Sequence, residues 1–277
     1  MISIENLHFA YPKKEIFRGL DLEIRKGYIY GLLGKNGTGK STLLSNISGL
    51  LFPKGGSINV LGFDPGERQP AFLQDIFLIP EEFYLPDIAI AKFIKYTAPF
   101  YPWFEEELFR NYLREFEIAY EGNLQSLSYG QKKKVLISFG LAANTSLLLM
   151  DEPTNGLDIA GKSQFRKIIA GSFNEKKSIV ISSHQVKDLE NLVDRVIIID
   201  EGKIVLNESI HRVASRLLFT ITFDPAEITG AIYSEALLRG HAVIVPNTGG
   251  EERKIDLELL YKATLSNPQL IQSIFKA

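Results

Sequence analysis

The chain has 277 residues, which suggests one to two domains at roughly 150 residues each. Hydrophobic residues make up 45% and charged residues 23%, a balance that excludes a disordered tail protein, a collagen-like fibre and a low-complexity chain. The net charge of -2, from 31 basic against 33 acidic side chains, gives no bulk attraction to nucleic acid or anionic lipid. A cysteine count of 0 excludes disulfide scaffolds, thiolate zinc sites and cysteine nucleophiles.

The start, MISIENLHFAYPKK, has no basic head followed by an apolar stretch, so no secretory leader is expected. A membrane span needs about 18 or more apolar residues. The nearest candidate, Val135 to Met150, is interrupted by Asn144, Thr145 and Ser146 and reads as a buried helix, a turn and a buried strand. The chain is not expected to cross a bilayer by itself.

ISIENLHFAY and IFRGLDLEIRKG place apolar side chains at every second position on either side of Pro12-Lys13-Lys14, which predicts two half-buried strands. YIYGLLG, Tyr28 to Gly34, is short and continuously apolar, as in a strand covered on both faces. A glycine-rich turn follows, then helical spacing from Ser41 to Ile47, then a turn at Phe52 to Gly56 ahead of the strand SINVLGF. Between about residues 83 and 144 the texture changes to aromatic-rich helices, clearest in AIAKFIKYTAPFYPWF and EEELFRNYLREFEIAY. SLLLMD (146–151) and SIVISSH (178–184), joined by the helix-like GKSQFRKIIAGSF, predict a parallel β-α-β unit. The hairpin RVIIID-EGK-IVLNE comes next. From about Ser209 the chain reads as an appendage: strands LLFTITF and HAVIVPN, a loop from Pro246 to Glu252, and an amphipathic helix IDLELLYKATL. No internal repeat is present.

Three motifs carry chemistry. GKNGTGKS, Gly34 to Ser41, follows a buried strand and opens a helix, matching the phosphate loop G-x-x-x-x-G-K-[ST]. Gly34, Gly37 and Gly39 let the backbone turn tightly and aim N–H groups at phosphate oxygens, helped by the positive end of the new helix. Lys40 is placed to reach the β- and γ-phosphates, and Ser41 to offer its hydroxyl to Mg²⁺. The nucleotide-binding set is Gly34, Lys35, Asn36, Gly37, Thr38, Gly39, Lys40, Ser41 and Thr42.

In SLLLMDEP the strand is buried and Asp151 and Glu152 emerge at its C-terminal end, where open α/β sheets bind ligands. Asp151 is suited to hold Mg²⁺ through water, and Glu152 to polarise a water for in-line attack on the γ-phosphate. LSYGQ, Leu127 to Gln131, is by itself a short polar turn ahead of the helical KKKVLISFGLAA. In this order, between phosphate loop and acidic strand, it resembles the ATP-binding cassette (ABC) family, whose usual sequence there is LSGGQ; Tyr129 replaces the first glycine. The resemblance spans about residues 2 to 208.

The resemblance implies a P-loop NTPase with a RecA-type α/β core, an antiparallel β-subdomain and an α-helical insertion at about 83–144. The ABC ATPase domain would cover 1–208 and a small α/β appendage 209–277. It implies Tyr11 as the aromatic that stacks on adenine, and Asp158 in Asn155-Gly156-Leu157-Asp158 as the carboxylate of the loop after the acidic strand. It makes His184 the switch histidine that hydrogen-bonds the γ-phosphate. One element departs from the family: Leu78-Ile79-Pro80-Glu81-Glu82 puts Glu81 where a glutamine usually touches Mg²⁺ and the attacking water. A carboxylate can coordinate Mg²⁺ too, but adds negative charge near the γ-phosphate.

With one phosphate loop and one LSYGQ, the chain would need a second ABC subunit, itself or a homologous chain with a homodimer expected, to complete each ATP site: the resemblance implies that Ser128, Gly130 and Gln131 contact the nucleotide held by the partner. The further partner implied is an integral membrane permease, with the chain peripheral at the cytoplasmic face of the membrane and no nucleic acid expected. Export is expected over import. Phe83 and Tyr84 are the better candidates for the permease groove, whereas core packing is expected for most of Tyr96, Phe100, Tyr101, Trp103 and Phe104. The alternatives are a soluble ABC ATPase acting on a protein or nucleic acid without a permease, and a regulator that binds nucleotide without hydrolysis.

Overall fold

The computed structural model describes residues 1–250 and 254–276; Glu251 and Glu252, assigned to the loop after Pro246, lie outside the described residues. Its centre is a six-stranded sheet. The strands, in spatial order, are β5 (Ile76–Ile79), β6 (Leu147–Asp151), β7 (Ser178–Ser183), β3 (Ile29–Leu33), β8 (Arg195–Asp200) and β9 (Lys203–Ser209). The first five run parallel, and β6 and β7 are adjacent and joined through α6 (Ile159–Ser172), as the expected β-α-β unit requires. Strands β3, β6 and β7 are buried at every position because both faces of the sheet are covered. Only β9 is antiparallel. Its hairpin with β8 turns through Glu201 at φ 45° and Gly202 at φ 73°, the left-handed pair that suits a two-residue turn, and a Cβ on Gly202 would lie 2.0 Å from the Ile16 carbonyl oxygen.

A second, antiparallel sheet of β1 (Ile2–Tyr11), β2 (Lys14–Ile24) and β4 (Gly55–Val60) forms the expected β-subdomain. With α1 (Lys40–Ile47) and α2 (Pro70–Leu73) it covers one face of the main sheet: Phe17, Leu43, Ile47 and Phe72 pack with Tyr30 and Leu32. The alternate residues of β3, Ile29 and Leu33, point into the other core layer, as a period of two demands.

That other layer holds the helical insertion, α3 (Ile90–Thr97), α4 (Glu106–Glu115) and α5 (Tyr129–Ala142). Phe139 of α5 is its hub: Phe77, Phe93, Tyr101, Phe104 and Phe109 all place ring centroids between 5.0 and 6.4 Å from it. The expectation of core packing holds for Tyr101 and Phe104 and fails for Tyr96, Phe100 and Trp103, which are exposed. They sit around a helix end and a turn of 3₁₀ helix, where only one side of the backbone faces the core.

Helix α7 (Val186–Leu189) lies between β7 and β8 in the chain. After β9 the chain continues through α8 (Ile210–Arg216), β10 (Leu217–Thr222), α9 (Pro225–Gly230), β11 (Tyr233–Ala236), β12 (His241–Pro246), α10 (Leu257–Ser266) and α11 (Pro268–Phe275). Strands β10, β12 and β11 form their own antiparallel sheet, while α10 packs on α7, β8 and β9, and α11 on β9. Among the described residues no helix is long and apolar enough to cross a membrane.

Candidate active site

The loop from Gly34 to Gly39 leaves buried β3 and enters α1 at Lys40. Gly37 at φ 80° and Gly39 at φ 107° occupy the left-handed region, and a Cβ on Gly39 would lie 2.7 Å from the Phe17 ring. Lys40 is only 6% exposed: its ammonium folds back to donate to the carbonyls of Gly34 at 2.8 Å and Lys35 at 3.3 Å. Thr38 Oγ1 also donates to Lys35 O, so the loop is curled around its own centre. Lys35, Asn36, Gly37 and Ser41 are exposed along its rim, and Thr42 is buried. Tyr11, at the end of β1, reaches this rim with its hydroxyl 3.4 Å from Thr42 Oγ1 and its ring edge-on to Phe9.

Strand β7 lies between β3 and β6 and links the two halves of the site. Its Ser182 donates through Oγ to Asp151 Oδ1 at 2.5 Å and accepts from the Glu152 backbone N–H at 3.0 Å. Glu152 is held at φ 46°, a conformation that non-glycine residues rarely adopt and that a surrounding structure must enforce. Its side chain, on a residue 3% exposed, has Oε1 3.4 Å from Lys40 Nζ and 2.9 Å from His184 Nδ1. Both are electrostatic contacts without hydrogen-bond alignment, and neither carboxylate oxygen of Glu152 has a directed donor. A buried carboxylate of this kind fits a site completed by a water or another polar group. No cluster of three or more acidic, histidine or cysteine side chains forms a preassembled metal cage among the described residues.

Glu81, just past the end of β5, is anchored on both its side chain and its backbone. Asn155 Nδ2 donates to Glu81 Oε1 at 2.9 Å, and the Tyr129 hydroxyl donates to the Glu81 carbonyl. The carboxylate is therefore fixed against the loop that follows β6.

The LSYGQ segment is not a turn but a helix start. Ser128 caps α5, accepting from the Gln131 backbone while the Gln131 side chain accepts from the Ser128 backbone. Tyr129, Gly130 and Gln131 form the first turn. Ser128, Gly130 and Gln131 line a cavity of about 440 Å³ together with Lys134, Gly156, Leu157 and Asp158, and no residue of the phosphate loop borders it. Asp158 is engaged as the cap of α6, accepting from the Gly161 N–H at 2.7 Å. The structure thus gathers Lys40, Asp151, Glu152 and His184 at one place, and Ser128, Gly130, Gln131 and Asp158 at another.

Three contributors escape the motif reading. Ser182 is hidden in a buried strand, although its place two residues before His184 marks it. Asn155 shows its role only through Glu81. Lys133 belongs to a run of three lysines that no motif marks, and it is completely buried.

A lysine-bearing glycine loop facing a buried carboxylate at the C-terminal edge of a parallel sheet defines a nucleoside triphosphatase site. The ABC transporter family model matches residues 17–155. The linearmycin resistance ATP-binding protein LnrL of Bacillus subtilis is 30% identical over 211 residues, covering 74% of this chain and 68% of that protein. The ABC transporter ATP-binding protein YtrB of the same organism is 25% identical over 287 aligned positions, covering 100% of this chain and 97% of that one. A solved ATP-binding subunit of an ABC transporter superposes with a TM-score of 0.69 at 23% identity, over 77% of this chain and 91% of that one, a likeness of fold. The chain belongs to the ABC transporter family. It is an ATP-binding, ATP-hydrolysing subunit that powers transport.

Proposed function

We propose that Lys40, Glu152 and His184 are the working residues of one half of a composite ATP site, completed by Ser128, Gly130 and Gln131 of a second ABC subunit. The observation that carries this reading is the buried Glu152 carboxylate, placed between Lys40 and His184 with no directed donor of its own. When ATP enters, Lys40 exchanges the loop carbonyls and Glu152 for β- and γ-phosphate oxygens, and the N–H groups of Gly37 to Ser41 face the phosphates. Tyr11 lies against the adenine.

Glu152 accepts the proton of the attacking water as its oxygen bonds to the γ-phosphorus and the bond to the β–γ bridging oxygen breaks. His184 holds the γ-phosphate from the adjoining strand. Ser41, Asp151 and Glu81 would hold Mg²⁺, an oxygen-donor set of the kind that ion takes, and it would supply neutralisation of phosphate charge.

The twin subunit is a second copy of this chain, docked through the cavity of Ser128, Gly130, Gln131 and Asp158. The other partner is a membrane permease, and the chain sits on the cytoplasmic face of its membrane. The exposed rings of Tyr84, Tyr96, Phe100 and Trp103 on the insertion support that docking. Export is supported by the resistance function named for LnrL. Residues 209–277 are proposed as an appendage to the ATPase domain of 1–208, supported by their separate sheet.

Purification from detergent-solubilised membranes tests the permease reading. A polytopic membrane protein should co-purify, and full recovery of the chain from membrane-free extract would contradict it. Lys40→Ala should abolish measurable ATP binding, and unchanged affinity would remove Lys40 from the site.

A further inference from the structure

Of the three consecutive lysines opening α5, only Lys133 is fully enclosed; Lys132 and Lys134 are half-buried. Lys133 Nζ donates to the Glu152 carbonyl at 3.1 Å and lies 5.2 Å from the centroid of the Tyr129 ring. That ring stacks on Phe83, with centroids 5.1 Å apart and planes 21° from parallel, and its hydroxyl donates to the Glu81 carbonyl. Glu81 in turn accepts from the Asn155 side chain at 2.9 Å, and the Asn155 backbone N–H donates to Glu152 O at 3.2 Å. The contacts close a ring: Lys133 to Glu152, to Asn155, to Glu81, to Tyr129, and back to Lys133.

Charge explains why the ring is built this way. A fully buried ammonium is costly unless opposed, and burial holds Lys133 below the ordinary lysine range, with Glu81 its strongest opposing charge, ahead of Asp151 and Glu152. Three carboxylates beside a triphosphate carry more negative charge than Lys40 and a bound Mg²⁺ would cancel. Lys133 brings a further positive charge, from behind the acidic residues and out of reach of solvent.

We propose that Lys133 is a positioning residue whose charge allows a carboxylate to stand at position 81 and whose hydrogen bond holds the strained Glu152 backbone in its reactive orientation. It acts through Glu81 and Glu152 and does not touch the nucleotide. The inference rests on the assignment of Glu152 and Glu81 to the hydrolytic site, and Glu152→Gln serves as the control for that assignment.

The test compares steady-state ATP turnover, ATP affinity and thermal midpoint in Lys133→Gln, Glu81→Gln and the double variant. Groups in one ion-pair network couple strongly, so each single change should lower kcat by about tenfold with little effect on ATP affinity. The double variant, neutral at both positions, should exceed both singles in turnover. A double variant no more active than the better single overturns the proposal. If Lys133→Gln fails to fold, the same coupling is read as recovered folding in the double, and a double that fails likewise overturns it. Full turnover in Glu152→Gln would instead refute the site assignment on which the proposal stands.

Discussion

Substituting Glu152 by glutamine separates two roles that the structure gives this side chain. Its Oε1 lies 3.4 Å from Lys40 Nζ. At an effective dielectric constant of about 20, unit charges at that separation attract by about 5 kcal/mol before the desolvation of both groups is subtracted. Most of that attraction is cancelled by burial. The remainder must still be given up when Lys40 turns to phosphate. A residual of about 1 kcal/mol predicts that Glu152→Gln binds ATP about fivefold more tightly. The same change removes the proton acceptor and should lower turnover by about 100-fold or more. Equilibrium binding with a fluorescent ATP analogue and phosphate-release kinetics measure both. Weakened ATP affinity in a folded variant would refute the competition between Glu152 and phosphate for Lys40. A turnover within about threefold of native would refute Glu152 as the acceptor.

Two further expectations concern other parts of the chain. Burial pushes the Lys177 ammonium down to about 8, although Nζ still donates to the Leu141 carbonyl at 3.1 Å. Because the folded value lies below the unfolded one, the unfolded chain binds the extra proton between about pH 8 and pH 10.4 and stability rises with pH across that window, by about 3 kcal/mol. Lys177→Met should therefore be more stable than the native chain at pH 7, with the difference closing by pH 10 in urea unfolding; a constant or widening difference would contradict this. Tyr11→Ala should weaken ATP binding by about tenfold, the value of one base–aromatic stack, with kcat preserved. Unchanged affinity would remove Tyr11 from the adenine site.

What could be read from the sequence follows the range of the interactions involved. The phosphate loop and the Asp151-Glu152 pair were legible because each is a local strand-to-turn transition whose glycines and carboxylates stand together in the chain. Most of the six-stranded core was legible through uninterrupted apolar runs such as Ile29–Leu33 and residues 147–150. The Glu81 network was not, because Tyr129 and Asn155 lie 48 and 74 positions from Glu81 and meet it only in the folded chain. Strands β5 and β11 have four residues each, too few to show a period, and β11 alternates only Tyr, Ser, Glu and Ala. The aromatics of the insertion carry equal hydrophobicity whether they turn toward Phe139, as Tyr101 does, or outward, as Trp103 does; only the helix path distinguishes them.

The most direct measurement of the composite site is the solution mass of Glu152→Gln by light scattering, with and without saturating Mg-ATP. A chain that supplies Lys40 to one nucleotide and Ser128 to the other should pass from monomer to dimer when ATP is added, and Ser128→Arg in the same background should abolish the change. A Glu152→Gln chain that binds ATP and remains a monomer would contradict the account.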